Sequence, residues 1–260
     1  KNVAEAGGKG SSLGEMLQVG FVIPDGFVIL ASTFDKFLKQ AGIEAKIETV
    51  LKSVNIEAMH TVEVASEKIQ YLILNAQIPN DIAEEIISSF NILNAKFVAV
   101  RSSATAEDSA DAAWAGQLDT FLNTTKENVI ENVRKCWASL FSPRAIFYRF
   151  EKKLHDEHVS VAVVIQKMVQ SDIAGIAFSV HPVTQDHNQI LIEAGFGLGE
   201  SVVSGAVTPD SFVINKKDNS ILSKSVHSQT KKLVRTSKKG VDWVDIPESE
   251  ASQQKITNEQ

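Results

Sequence analysis

Residues 159–169, VSVAVVIQKMV, constrain the fold of this chain more than any other stretch. They are β-branched and nearly continuous in apolar character, which predicts a central strand covered on both faces. AGIAFSV (174–180) and QILIEAG (189–195) read as its neighbours. SFVINK and ILSKSVH flank Lys217, Asp218, Asn219 and Ser220, whose turn chemistry predicts a hairpin.

Upstream of residue 159 the apolar spacing is mostly helical. Ser11 or Ser12 can cap a helix with Leu13, Met16 and Leu17 inward, ending at Gly20. A turn at Pro24, Asp25 and Gly26 precedes a short strand, Phe27 to Leu30. Ser32 or Thr33 can then cap a helix with Phe34, Phe37 and Leu38 inward. Further helical patterns are marked by Ile47, Val50 and Leu51, by Val62, Ala65, Ile69, Leu72 and Ile73, and by Ile82, Ile86 and Phe90 after Asn80. Leu118 to Leu122 alternates as a strand. Thr124 and Glu127 form a capping-box pair before Val129, Val133 and Trp137, and Pro143 can open the next helix. Helices followed by a strand-rich half imply an α+β fold rather than βα repeats. Residues 1–96 form the helix-rich part and residues 97–260 the strand-rich part.

A formal net charge of −6 argues against a general nucleic-acid binder, while leaving room for a local basic pocket. The single cysteine, Cys136, excludes an internal disulfide and fits a buried thiol in a reducing cytoplasm. No apolar run approaches the ~18 to 20 residues of a membrane span. The chain starts at Lys1 without a methionine and ends in the polar SQQKITNEQ, so it reads as an excised piece of a longer protein.

Chemistry concentrates in three segments. VRSSATAEDSADAAWAGQ (100–117) sets Arg101 beside small residues, Ser102, Ser103, Ala104 and Thr105, then Glu107, Asp108 and Asp111. Small residues admit a bulky anion, and a guanidinium matches phosphate with two parallel hydrogen bonds. AGGKGSSLGEM (6–16) places Lys9 among glycines at a helix start, where the dipole favours an anion. It is not a P-loop, because Gly10 follows the lysine where Ser or Thr belongs. GFGLGESVVSG (195–205) breaks the dinucleotide fingerprint at its third glycine, but carries Glu200 on a glycine-rich turn as a candidate ligand for a phosphate-bound metal ion. The six histidines show no metal-ligand spacing.

Four segments, in order, resemble one family: AGGKGSSLGEM, VRSSATAEDSADAAWAGQLDTFL, VAVVIQKMVQSDIAGIAFSVHPVT and GFGLGESVVSGAVTPDSFV. They are similar to the N-terminal ATP-binding domain of phosphoenolpyruvate synthases, pyruvate phosphate dikinases and rifampin phosphotransferases. The resemblance implies an ATP-grasp fold that binds ATP and Mg2+. It implies that Lys9 and Arg101 are the catalytic pair holding the phosphates, and that Gly116 and Thr120 lie in a phosphate-covering hairpin. Gln166 falls at the adenine hinge and Glu200 at the metal. In that family a phosphoryl or pyrophosphoryl group passes from ATP to a histidine on a separate swivelling domain. It then passes to pyruvate at a pyruvate-binding domain, or to a drug. The acceptor histidine motif and the closing Glu…Gln-Xaa-Arg segment are both absent, so the pocket is expected to be incomplete and the piece inactive by itself. A rifampin phosphotransferase, a pyruvate phosphate dikinase and a non-catalytic ATP-binding regulatory module are the alternatives; neither nucleic acid nor membrane is expected as a partner.

Overall fold

The computed structural model describes residues 2–105, 118–154, 158–236 and 240–260. They divide into two compact units, one running to Met168 and one from Val169 onward. The change from helical to strand character at residues 96 and 97 lies inside the first unit. The reason is that the strand beginning at Val98 pairs with Val161–Lys167, which in turn pairs with Gly26–Ile29 from ahead of the change.

The first unit holds a four-stranded antiparallel sheet of order β1-β4-β2-β3, built from β1 (Gly26–Ile29), β2 (Val98–Ala104), β3 (Thr120–Thr124) and β4 (Val161–Lys167). The β-branched run is therefore an inner strand, as expected. Its partners differ from expectation: β4 pairs with β1 and β2, whereas residues 174–180 and 189–195 belong to the second unit. Burial is written into a strand's composition, but the identity of its neighbour is not. Here β1 and β2 win because Ile29, Val98 and Val100 complete the same apolar face as Val161, Val163 and Ile165.

That face packs against helices α2 (Ala31–Gln40) and α6 (Val129–Ser139), with α3 (Glu44–Lys52), α4 (Met59–Asn75), α5 (Asn80–Leu93) and α7 (Pro143–Glu151) completing the layer. Trp137 is fully buried, its ring 4.9 Å from that of Phe37 and 5.6 Å from that of Phe34. The predicted start at Pro143 holds, and the Ser142 hydroxyl caps it by accepting from the Ala145 N–H at 3.2 Å. The Thr124–Glu127 capping box does not form. Thr124 ends β3, and its hydroxyl accepts from Asn132 Nδ2 at 2.8 Å, which leaves Asn128 to flank α6.

Helix α1 (Val3–Gln18) departs most from expectation. It begins before the serines, and it buries Gly7, Gly8 and Gly10, while Met16 and Leu17 are exposed. Its apolar residues predicted burial nearer the other end of the helix. Glycines carry no hydrophobic signal, yet they allow the closest approach between backbones.

The second unit holds an antiparallel sheet of order β5-β6-β7-β8, from β5 (Ile173–Phe178), β6 (Gln189–Phe196), β7 (Asp210–Asn215) and β8 (Ile221–Ser225). The expected hairpin joins β7 to β8, with Asn219 left-handed at φ 58° and Asp218 Oδ1 accepting from the Ser220 N–H. A second hairpin, β9 (Lys231–Arg235) with β10 (Val241–Asp245), and two short helices, α8 (Glu200–Val203) and α9 (Glu248–Ala251), complete the unit. Among the described residues no helix is long and apolar enough to cross a membrane.

A fully buried ion pair anchors the polar C-terminal residues to this unit. Lys255 Nζ lies 3.0 Å from Asp210 Oδ1, and both side chains are wholly inaccessible. The carboxylate also accepts from the backbone N–H groups of His227 and Lys255, at 3.0 and 2.8 Å. Lys255→Met should destabilise the second unit by ~3 to 5 kcal/mol, because it strands a buried carboxylate. The double variant Asp210→Asn/Lys255→Met should lose clearly less than Lys255→Met alone. Urea denaturation checks this, and a double variant as unstable as the single one would contradict it.

Cys136 is buried as expected, and burial pushes its thiol up from 9.0 to about 12. A group that stays protonated longer when folded leaves stability intact below pH 9 and erodes it as pH rises toward 12. The loss from Cys136 should approach ~1.4 kcal/mol per pH unit across that window. Urea midpoints from pH 7 to 10 should fall more steeply for the wild type than for Cys136→Ala; parallel curves would contradict it.

Candidate functional site

Alternation along β2 sorts its residues between two environments. Val98, Val100 and Ala104 enter the apolar core, whereas Ala99, Arg101 and Ser103 point to the other face of the sheet. Directly opposed residues in antiparallel strands share a face, so the register extends this second face. Arg101 opposes Thr120 on β3 and Val164 on β4, and Ala99 opposes Gln166. Arg101, Thr120 and Gln166 are thus brought to one surface.

The side chains there are partly engaged. Arg101 is half-buried, and its Nη1 lies 3.5 Å from Gln166 Oε1, a long contact. Gln166 is almost buried, and its Nε2 donates to the Pro24 carbonyl at 3.1 Å, which fixes the amide orientation. Thr120 is exposed. Gly26, opposite Gln166, has no room for a side chain: a Cβ there would stand 2.4 Å from the Ile165 carbonyl oxygen.

Lys9 reaches the same face through its backbone. The Ser103 hydroxyl donates to the Ala6 carbonyl at 2.9 Å and accepts from the Gly10 N–H at 3.3 Å. Ala6 and Gly10 are four residues apart, the spacing of an α-helical hydrogen bond, so the serine is inserted into the helical ladder. The helix breaks there: Gly7 adopts φ 67°, ψ 175°, a region open essentially to glycine alone. A Cβ on Gly7 would stand 2.3 Å from the Ser103 carbonyl oxygen, and one on Gly10 would touch Val28 of β1. Lys9 is half-buried between Gly8 and Gly10, where the break starts a new helical segment with its positive dipole end.

Glu200 belongs to the second unit. It is exposed, as the first residue of α8. The glycines before it serve the chain's own packing: a Cβ on Gly197, at φ 91°, would stand 2.5 Å from the Leu233 carbonyl oxygen. Gly116 lies outside the described residues, as do Glu107, Asp108 and Asp111. No group of three His, Cys, Asp or Glu able to cage a metal occurs among the described residues. A lone exposed carboxylate does suit Mg2+, which keeps several waters and takes its other ligands from substrate phosphates. Sequence reading missed the role of Ser103, which looks like any small residue near an arginine. It also missed Gln229, Asp210 and Lys255, which carry no local signal.

Docking through Gly7 and Ser103 makes an ordered prediction. Ser103→Ala removes one hydroxyl from two buried backbone partners and should cost ~1 to 3 kcal/mol. Gly7→Ala should cost more, since the methyl collides with β2 and the backbone is strained. Chemical denaturation ranks the two; a Gly7→Ala protein as stable as the wild type would mean that α1 does not seat on β2 in this way.

Comparison with known proteins places the chain in a family. The family model described as "Pyruvate phosphate dikinase, AMP/ATP-binding domain" matches residues 3–260. A "Probable phosphoenolpyruvate synthase" of Methanocaldococcus jannaschii is 40% identical over 267 residues, covering 100% of this chain and 22% of that protein. Its namesake in Methanothermobacter thermautotrophicus is 44% identical over 232 residues, covering 86% of this chain and 34% of that protein. The "Phosphoenolpyruvate synthase" of Pyrococcus furiosus is 32% identical over 304 residues, covering 100% and 37%. The chain therefore spans roughly a fifth to a third of the length of these curated relatives. The α+β, ATP-grasp-like expectation fits this domain. With a family model covering nearly its whole length, the chain belongs to the pyruvate phosphate dikinase AMP/ATP-binding domain family.

Proposed function

We propose that this chain is the ATP-binding part of a phosphoenolpyruvate synthase-like phosphotransferase. In this reading a phosphoryl group leaves ATP for a histidine on a separate domain and then passes to pyruvate. The observation that carries it is the Ser103 insertion, which seats the Lys9 segment on the sheet face that bears Arg101 and Gln166.

The chemistry divides by residue type. Arg101 and Lys9 meet the phosphates, since a guanidinium and an ammonium beside a helix start offset the charge of a polyphosphate. Gln166, held by Pro24, offers an amide edge to adenine. Thr120 opposes Arg101 and can donate its hydroxyl to a phosphate oxygen, with Gly116 assigned to the same hairpin by resemblance. Glu200 is the carboxylate for Mg2+, which when bound would neutralise charge on the phosphates. Phosphoryl transfer asks little covalent work of such residues; their contribution is position and charge. The relatives' greater length leaves room for the histidine and pyruvate domains, and a cytoplasmic setting suits the reaction.

Among the described residues Arg101 makes one long side-chain contact, so its removal should spare the fold and damage the site. In the full-length protein Arg101→Ala should weaken ATP binding at least about tenfold, a loss of ~1.4 kcal/mol, with little change in melting temperature. Lys9→Ala should weaken ATP binding likewise. Titration calorimetry beside thermal melts decides, and wild-type affinity in both variants would rule out this phosphate site.

A further inference from the structure

The glycine turn leading to Glu200 is held from behind by a buried amide that the proposed mechanism does not use. Gln229 is 3% exposed. Its Oε1 accepts from the Phe196 N–H at 2.9 Å, and its Nε2 donates to the Phe196 carbonyl at 2.9 Å and to the Lys231 carbonyl at 3.0 Å. A carboxamide that satisfies both backbone groups of one residue does the work of a neighbouring strand. It is needed here because the pairing of β6 with β7 stops at Ala194, opposite Asp210. Lys255 Nζ, held by Asp210, lies 5.2 Å from the centre of the Phe196 ring.

From Phe196 the constraint passes straight down the chain. The Gly197 N–H donates to the Asp172 carbonyl at 2.8 Å, and the Leu198 N–H to the Leu233 carbonyl at 2.9 Å. Gly199 then opens α8, and Glu200 is the first residue of that helix. An apolar side chain at position 229 could fill the same space but would leave the Phe196 N–H and carbonyl without this partner. The amide adds direction: it fixes the peptide groups from which the turn departs.

We propose that Gln229 is a positioning residue for Glu200, setting the backbone from which that carboxylate would hold Mg2+. The inference rests on the assignment of Glu200 to the metal made above. Its effect should be felt through Glu200 alone, which separates it from a general loss of stability.

The test is a double-mutant cycle in the full-length protein, titrating Mg2+ against ATP binding by calorimetry. Amide hydrogen exchange over residues 196–201 and melting temperature without ligand are read in parallel. Glu200→Gln should raise the Mg2+ concentration for half-maximal ATP binding about tenfold, and Gln229→Ala should raise it by a similar factor, the range seen when groups behind a metal ligand are removed. The double variant should be no worse than Glu200→Gln, because residues acting through one group are not additive. Gln229→Ala should also speed exchange at residues 197–200. Gln229→Glu keeps the acceptor for the Phe196 N–H, so it should fall between, and it serves as the test if the alanine variant does not fold. Effects that multiply in the double variant, or a lowered melting temperature with an unmoved Mg2+ midpoint, would overturn the positioning role and leave the Glu200 assignment standing. An unmoved midpoint in Glu200→Gln alone would overturn that assignment, and with it the inference.

Discussion

The seating of α1 on the sheet of the first unit depends on one hydroxyl. Ser103 sits where the carbonyl of Ala6 and the N–H of Gly10 would otherwise meet, and it satisfies both. A helix opened by a foreign donor and acceptor must bend, and the bend needs a residue that tolerates φ 67°. Gly7 provides it. The same absence of side chains at Gly7, Gly8 and Gly10 lets the helix lie on the strand backbone, so the bend, the close approach and the placement of Lys9 share one cause. A strand with Ser103 on one face and Val98, Val100 and Ala104 on the other can serve a polar surface and an apolar core at once.

The two units use buried polarity in different ways. In the first, buried hydroxyls tie elements to the central sheet: Ser102 donates to the Asp119 carbonyl, Thr124 accepts from Asn132, and Ser160 donates to Asp35. In the second, a charged pair and an amide close the gaps where strands end. Asp210 gathers the backbones of residues 227 and 255, and Gln229 continues the sheet past the end of β7. A sheet whose edge strand β8 is exposed along its whole length has little apolar area to spare. Specific buried contacts of this kind then hold its ends in register.

Sequence shows the parts of this fold that rest on apolar patterning. The inner strand at residues 161–167, the helices carrying Phe34, Ile69, Ile86 and Trp137, and the β7–β8 hairpin were legible because burial and turn geometry select residue types. The partners of β4 were not legible, since any apolar strand could have lain beside it. Helix α1 was misread because glycines report freedom rather than contact, so Leu13, Met16 and Leu17 looked like the inward face. Lys9, Arg101 and Glu200 could be singled out by chemistry, while Gln166, Thr120 and Gly116 came only from the family resemblance. Lys255 stood in a run of polar residues, and nothing in SQQKITNEQ distinguishes a buried ammonium from a solvated one.

The aromatic packing in the first core has a spectroscopic consequence. Trp137 is shielded from water between Phe34 and Phe37, whereas Trp243, on β10 of the second unit, is partly exposed with the Lys231 ammonium 5.2 Å from its ring. An indole in a dry aromatic stack emits at shorter wavelength than one wetted by solvent. Trp137 of the first unit therefore emits to the blue of Trp243 of the second; the third tryptophan, Trp114, lies outside the described residues. Replacing Trp243 with phenylalanine would leave a reporter weighted toward the unit that bears Lys9 and Arg101, so the loss of order in one half can be timed against the other within a single protein.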